Sequence, residues 1–508
     1  MKNMKKIVAM ALAVVMILSL ATTVFAEDNG YTLTLNGAQA DHTYTAYQIF
    51  KGDLHENTLS NIEWGAGVTT EGQNKLGNAA AKAGTLTSTD AAQDFAAAVA
   101  PYLAEAAGSV TISAEASTGS ITGLKAGYYL VKTTGLTTTN SVHTYYIMEV
   151  VKDTEATIKA DYPEVEKKIK LKDGTLVDYT NASIGDTVTF VLTATMPTTL
   201  EGYDHYKIIF HDTLSDGLAY KDIVSVTVAG VDKTSAFTST HENGTLTISC
   251  NDVKAQGATV GSKIIVTYEA ILDTDAEIGD EGNPNEVYLE YSNNPNWDES
   301  WGTDEKDNDG DGKIDEEDND EKNEPTGETP PDEVIVYTWE IPVFKYTMNN
   351  NAETALAGAV FTLYTDSECT IPVNVVATDD AAIYKVCTLN DSKDGHTHLT
   401  QITTGETGRF EIEGLAAGKY YLKEETAPNG YNTADVVTVE IDENGLLNAK
   451  VVDDETESET EIKVLNQKGS TLPSTGGIGT TLFYVFGGVL VLAAVVLLIT
   501  KKRMASAE

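Results

Sequence analysis

The sequence predicts an all-β protein, built of tandem β-sandwich domains strung between a secretion signal and a C-terminal membrane helix. Three observations predict it. Short runs of residues alternate apolar and polar with period two and are bounded by Gly, Asp and Asn, the pattern of half-buried strands joined by turns. The chain is helix-poor, with an Ala-rich segment at helical spacing from Ala91 to Ala107. The stretch between Glu27 and Ser470 is long enough for about three domains.

The N-terminus is built for export. Lys2, Lys5 and Lys6 precede an apolar stretch, Ile7 to Leu20, and Val24 and Ala26 supply small residues for a signal peptidase. Residues 1–26 are therefore read as a signal peptide and Glu27 as the mature start. Residues 27–160 form a first unit, with strand alternation in Tyr31 to Leu35, Tyr44 to Ile49 and Tyr128 to Val131. Residues 161–339 form a second, all-β unit. Its strands are Thr187–Thr193, Lys207–Phe210, Val224–Val228, Gly244–Ser249, Lys263–Tyr268 and Glu286–Tyr291, regular enough for a sandwich. Residues 340–467 form a third β unit, and 468–508 form the tail.

The net charge is −43 and the sequence pI about 4.4, which argues against nucleic acid as a partner and suits a soluble extracellular surface. There are three cysteines. Cys369 and Cys387 are close in sequence in one unit, so a disulfide between them is expected outside the cell, leaving Cys250 as a buried thiol. The eight His are scattered, and no nucleophile–base pair or phosphate loop is present, which excludes the common enzyme classes.

Residues 298–331 are an acidic insert. One reading is a solvated, unstructured segment. The other is calcium, because residues 307–318 fit a calcium-loop template. Asp307, Asp309 and Asp311 occupy its first, third and fifth positions, and Gly312 allows the sharp turn. The Lys313 carbonyl and Asp315 follow at the seventh and ninth. Asp318 stands where a bidentate Glu is usual. We expect weak, structural Ca²⁺ binding.

Three polar residues of the third unit fall on strand faces that should be buried. Ile341, Val343 and Lys345 share a face; so do Tyr420, Leu422 and Glu424; so do Ile462, Val464 and Asn466. Two chemistries answer this. One is a buried Lys–Glu ion pair with Asn as hydrogen-bond partner. The other is an isopeptide bond, in which burial lowers the Lys345 pKa and raises that of Glu424. The amine then attacks the Asn466 amide carbon while the acid shuttles protons. The second unit repeats the pattern. Val165, Lys167 and Ile169 share a face, as do Asn285, Val287, Leu289 and Tyr291, and Asp212 is the acid candidate. Lys168, Asn283 and Asn293 remain alternatives. The first unit has no core-facing Asn near its end, so no such bond is expected there.

The tail reads Leu472-Pro473-Ser474-Thr475-Gly476, then an apolar run from Thr481 to Ile499, then Lys501, Lys502 and Arg503. The run is long enough to cross a bilayer, and the basic cluster stays on the cytoplasmic side. This order resembles the LPxTG cell-wall sorting signal of Gram-positive surface proteins. The resemblance implies that a sortase cleaves between Thr475 and Gly476 and passes the Thr475 carbonyl to an amine.

The segment Gly418-Lys-Tyr-Tyr-Leu-Lys-Glu-Glu-Thr-Ala-Pro-Asn-Gly-Tyr431 is similar to the E-box of pilins and collagen-adhesin B-type domains. In that family the Glu aligned with Glu424 promotes a Lys–Asn isopeptide, which implies a Lys345–Asn466 bond. Thr43 to Phe50 and Gly123 to Leu130 resemble the N-terminal domain of backbone pilins, and the second unit resembles their middle domain, where an Asp takes the Glu role. The resemblance implies immunoglobulin-like sandwiches in an elongated rod. It also implies a covalent homopolymer of identical subunits with sortase, accessory and tip pilins and peptidoglycan as partners. The acceptor amine of such pilins lies near the end of the first domain, often in a Pro-Lys pair. Here Pro163 is followed by Glu164, and Lys159 is the lysine at the comparable place. The other reading of the same tail is a monomeric wall-anchored adhesin, which would not need Lys159.

Overall fold

The computed structural model describes residues 30–136, 140–295, 324–387, 398–451, 457–469 and 479–504. The signal peptide, the calcium-type loop with Asp307, Asp309, Asp311, Lys313, Asp315 and Asp318, and the motif Leu472-Pro473-Ser474-Thr475-Gly476 lie outside these residues.

The first unit packs a three-stranded sheet on a five-stranded one. Tyr31–Asn36 sits between Thr118–Leu124 and Thr154–Thr157, and its inward side chains Leu33 and Leu35 meet Tyr44, Ile121 and Val131. A second core lies at the far end of the larger sheet. There Ile49, Phe50 and Leu130 are covered by Phe95 and Val99 of the helix Thr89–Val99. That helix is shorter than the Ala-rich spacing predicts. Ser88 caps its start by accepting from Ala91 N–H, and Pro101 follows in a 3₁₀ turn, where it can donate no hydrogen bond. Ala106–Thr111 then leaves the helical pattern and pairs along Thr43–His55, because an open sheet edge offers those backbone groups partners.

The second unit is a sandwich of a six-stranded and a seven-stranded layer. One layer runs Leu176–Val177, Glu164–Lys170, Thr187–Thr195, Lys263–Leu272, Leu218–Val228 and Val231–Asp232. The facing layer runs Tyr179–Asn181, Asp332–Tyr337, Asn283–Ser292, Ile208–Leu214, Thr245–Cys250 and Thr238–Glu242. The short strand Thr326–Glu328 pairs Asn283–Ser292 outside that order. All six strands expected from alternation are present. The closing strand is Asp332–Tyr337, and Asn285 lies on the strand beside it.

The third unit is a second sandwich. Trp339–Asn349 lies between Ala352–Ala355 and Arg409–Leu415, and Ile462–Leu465 adds to it in parallel. The opposing sheet contains Val360–Tyr364, Gly418–Thr426 and Val437–Ile441. Only Thr338 separates the last strand of the second unit from the first of the third. Their cores are continuous. Ile184 N–H donates to the Gly414 carbonyl at 3.0 Å, and Ser183 Oγ accepts from Ala416 N–H at 2.9 Å. The first unit is joined to the second by Asn140 N–H to Glu328 O and His143 N–H to Asn293 O, both 2.7 Å.

Beyond the sandwiches, Gly479–Met504 is one apolar helix, exposed over Phe483–Lys502 and long enough to cross a membrane.

The joint between the second and third units gives a test. Gly414 has φ +88°, and a Cβ there would meet Ile184 Cδ1 at 2.4 Å. Gly414→Ala in a Lys345→Ala background should destabilise the third unit by about 1–3 kcal/mol, read by thermal unfolding. An unchanged melting temperature would mean that the joint yields without cost.

Candidate functional site

The site is two buried clusters, one in each sandwich, and strand geometry places both. In the second unit, Lys167 is opposite Leu192 on the neighbouring strand, and its ammonium points between the sheets with no exposed surface. Asp212 and Asn285 come from adjacent strands of the facing sheet, where Asp212 is paired with Val287 and Leu214 with Asn285. Lys167 Nζ donates to Asn285 Oδ1 at 2.7 Å and to Asp212 Oδ2 at closer range. The Phe190 ring centroid is 5.6 Å from the same nitrogen. All three polar residues are 0 % exposed.

Burial of this kind is expensive for ions. Desolvation pulls the Lys167 amine down to about 8, against the pull of Asp212 in the other direction. Desolvation likewise raises the Asp212 carboxyl, which Lys167 opposes. Both shifts run toward a neutral amine and a neutral carboxylic acid.

The other residues weighed for these roles are placed differently. Lys168 is half-buried on the opposite strand face and pairs with Asp178 and Glu166. Asn283 is buried but spends its amide on the backbone of Glu277 and Val336. Asn293 donates to Ser141 Oγ and Thr326 O at the junction with the first unit.

In the third unit, Lys345 lies on a strand paired in parallel with Ile462–Leu465, opposite Val464, and Asn466 directly follows that strand. Glu424 reaches them from the opposing sheet. Lys345 Nζ donates to Asn466 Oδ1 and lies 3.3 Å from Glu424 Oε1. Asn466 Nδ2 donates to the same Oε1 at 2.9 Å. Ala434 N–H holds the other carboxylate oxygen at 2.6 Å, and the Phe361 ring covers the amine at 5.5 Å. Desolvation brings the Lys345 amine down to about 8, with Glu424 pulling upward.

In both clusters a desolvated amine sits on an amide with an acid alongside. The arrangement can condense Lys and Asn side chains: Nζ bonds to the amide carbon, the carbon–nitrogen bond of the amide breaks, and ammonia leaves. The acid takes a proton from the amine and supplies one to the departing nitrogen.

Three residues of these clusters escaped the sequence reading. Tyr268 donates to Asp212 Oδ1 at 2.8 Å and accepts from Asn285 Nδ2 at 2.7 Å. Its signal was available: it interrupts the buried face Ile264, Val266, Ala270, Leu272 with a hydroxyl. The Phe190 and Phe361 lids carried no separate signal, since aromatic residues on core faces are ordinary.

Lys159 is exposed, on a segment whose backbone is bracketed by the Tyr146 hydroxyl. Tyr146 OH donates to Lys159 O at 3.0 Å, and Lys159 N–H donates to it at 3.3 Å. With Tyr145, Tyr146, Tyr203 and Pro295 it lines a cleft between the first and second units. The expected Cys369–Cys387 disulfide is absent: none of Cys250, Cys369 and Cys387 is disulfide-bonded. Cys369 sits at φ 52° in a tight turn that the Asp366 carboxylate ties to Thr370 and Ile371. Cys387 is fixed elsewhere, through its N–H to Asn374 O.

The depressed lysine predicts a pH dependence. In an Asn285→Ala chain no bond can form and Lys167 still titrates. Its folded value near 8 is below the unfolded 10.5, so the unfolded chain binds more protons between them and stability rises with pH. Urea midpoints should rise from about pH 8 to about 9.5, below tyrosine ionisation. A Lys167→Met, Asn285→Ala chain should lack that rise; equal slopes would contradict the buried titration.

Comparisons with known proteins bear on the fold and on the C-terminal anchor. Residues 344–456 match the family model described as SpaA, a prealbumin-like fold domain, and residues 465–506 match the LPXTG cell wall anchor motif. The trypsin-resistant surface T6 protein of Streptococcus pyogenes serotype M6 is 24 % identical over 426 residues, which is 68 % of this chain and 70 % of that protein. The structure of the T6 backbone pilin superposes with a TM-score of 0.54 at 19 % identity, covering 82 % of this chain and 81 % of that one. The full-length major pilin SpaD of Corynebacterium diphtheriae gives 0.50 at 18 % identity, covering 86 % and 98 %. At such identities the superpositions speak for the fold; the sequence relationship and the anchor motif speak for kinship. The chain is similar to the backbone pilins of Gram-positive pili over most of its length, and its C-terminus carries an LPXTG cell wall anchor motif.

Proposed function

We propose that the chain is the shaft subunit of a covalent pilus, stiffened by two internal isopeptide bonds, Lys167–Asn285 and Lys345–Asn466. The observation that carries this reading is the pair of solvent-free Lys–Asn–acid clusters, in series on a chain with a sorting signal. A sortase cleaves between Thr475 and Gly476 and joins Thr475 to Lys159 of the next subunit. Lys159 suits that role because its backbone is held by Tyr146 and its side chain borders a cleft. Identical subunits form the shaft, accessory and tip pilins join it, and its base is linked to peptidoglycan. From the sequence pattern alone, the proposal also includes a structural Ca²⁺ at residues 307–318.

Two measurements test this. Native cell-wall extracts boiled in SDS should give a ladder of high-mass bands, and Lys159→Ala should abolish it. A single band near monomer mass would favour the anchored adhesin, and a ladder that survives Lys159→Ala would move the acceptor to another lysine. The intact chain should also be two ammonia lighter than its sequence. Glu424→Gln and Asp212→Asn should each restore one. The bridged residues are 118 and 121 positions apart, so losing either bond should cost about 5 kcal/mol by loop-closure entropy. A full-mass, folded parent chain would refute the bonds.

A further inference from the structure

The two clusters do not move their protons in the same way. In the third unit one oxygen serves both nitrogens: Glu424 Oε1 is 3.3 Å from Lys345 Nζ and accepts from Asn466 Nδ2 at 2.9 Å. In the second unit the carboxylate hydrogen-bonds to Lys167 and Tyr268, not to Asn285. Its Oδ2 meets the amine. Its Oδ1 is 2.8 Å from the Tyr268 hydroxyl, and that hydroxyl is 2.7 Å from Asn285 Nδ2. The gap between acid and leaving nitrogen is thus spanned by one phenol.

The setting makes this more than a satisfied core tyrosine. Tyr268 is fully buried, and its two nearest hydrogen-bond partners are both reacting groups. The hydroxyl also lies 3.5 Å from Lys167 Nζ. The ring is fixed by stacking on Phe190 at 5.3 Å, the same ring that covers the amine. The third-unit acid is held by a backbone donor, Ala434 N–H, which can orient the acid but carries no proton to the amide.

We propose that Tyr268 is a catalytic residue of the second-unit cluster, passing a proton from Asp212 to the departing nitrogen of Asn285. This rests on the cross-linking reading above. The reaction starts from neutral Lys167 and protonated Asp212. Nζ bonds to the Asn285 amide carbon and gives one proton to Asp212 Oδ2. Asp212 Oδ1 gives its proton to the Tyr268 oxygen, and the Tyr268 hydroxyl proton goes to Nδ2. The carbon–Nδ2 bond then breaks and ammonia leaves. Asp212 and Tyr268 each end with the proton count they began with. The two hydrogen bonds of Tyr268 need only reverse direction, by rotation of its hydroxyl, for the relay to run.

The test uses the full chain, pulse-labelled in cells lacking sortase, extracted in detergent and sampled over time. Digestion and tandem mass spectrometry follow the Lys167–Asn285 and Lys345–Asn466 cross-linked peptides separately, so the third-unit bond is an internal control. Tyr268→Phe should slow the Lys167–Asn285 bond about 100-fold, the low end of what a positioned acid–base group contributes, and leave the other bond unchanged. Unslowed formation of Lys167–Asn285 in Tyr268→Phe overturns the relay and leaves the cross-linking reading standing. No Lys167–Asn285 peptide in the parent chain overturns both. If Tyr268→Phe fails to fold, replacing tyrosine by 3-fluorotyrosine keeps the shape and makes the phenol a stronger acid. The relay then predicts faster formation of the second-unit bond alone; a rate independent of phenol acidity leaves Tyr268 a packing role and overturns the proposal.

Discussion

The structure depends on how each sandwich tolerates a lysine in its core. Bringing a bare ammonium between two apolar sheets costs several kcal/mol even after relaxation. Both clusters meet that cost in the same manner. The amine is set against one amide oxygen and one carboxyl group and roofed by an aromatic ring. Desolvation drives both lysines toward the neutral form, which is also the nucleophilic form. A buried ion pair is poor support for a fold. A buried amine beside an amide is a reactive arrangement, and condensation removes the charge problem altogether.

The placement of the clusters explains how the units could act as one rod. The Lys167–Asn285 contact joins the entering strand of the second unit to the strand beside its last, so the bond proposed there would let a pull along the chain bypass residues 168–284. The Lys345–Asn466 contact joins Trp339–Asn349 to the end of the parallel strand Ile462–Leu465, and the bond proposed there would bypass residues 346–465. Between them lies a joint of one residue, Thr338, with a continuous core across it. The first unit carries no such cluster among its described residues. It is attached to the second instead by backbone bonds at Asn140 and His143 and by Ser141, whose carbonyl accepts from the Tyr291 hydroxyl.

Alternation made much of this legible. Lys345, Glu424 and Asn466 each break an apolar strand face, and strand period alone assigns them inward. Lys167 and Asn285 are legible in the same way. Period alone could not choose among neighbours, because Asn283 and Asn285 share a face. Both are buried, and only the register to Ile208–Leu214 brings Asn285 to Asp212 while Asn283 turns to backbone groups. Alternation places the Tyr268 hydroxyl on a core face, but only the packed sheets show that its partners are Asp212 and Asn285.

The sequence by itself determined the strand content, the sorting signal and the inward direction of the polar residues, because these follow from local order and from the period-two geometry of a strand. The tertiary structure decided what spacing along the chain cannot encode. It cut the Ala-rich helix short in favour of a sheet edge, and it kept Cys369 in a turn away from Cys387. It also selected one asparagine from several and set a phenol between an acid and an amide. Each of those outcomes depends on register between strands far apart in sequence, where a shift of one residue would turn every side chain to the other face.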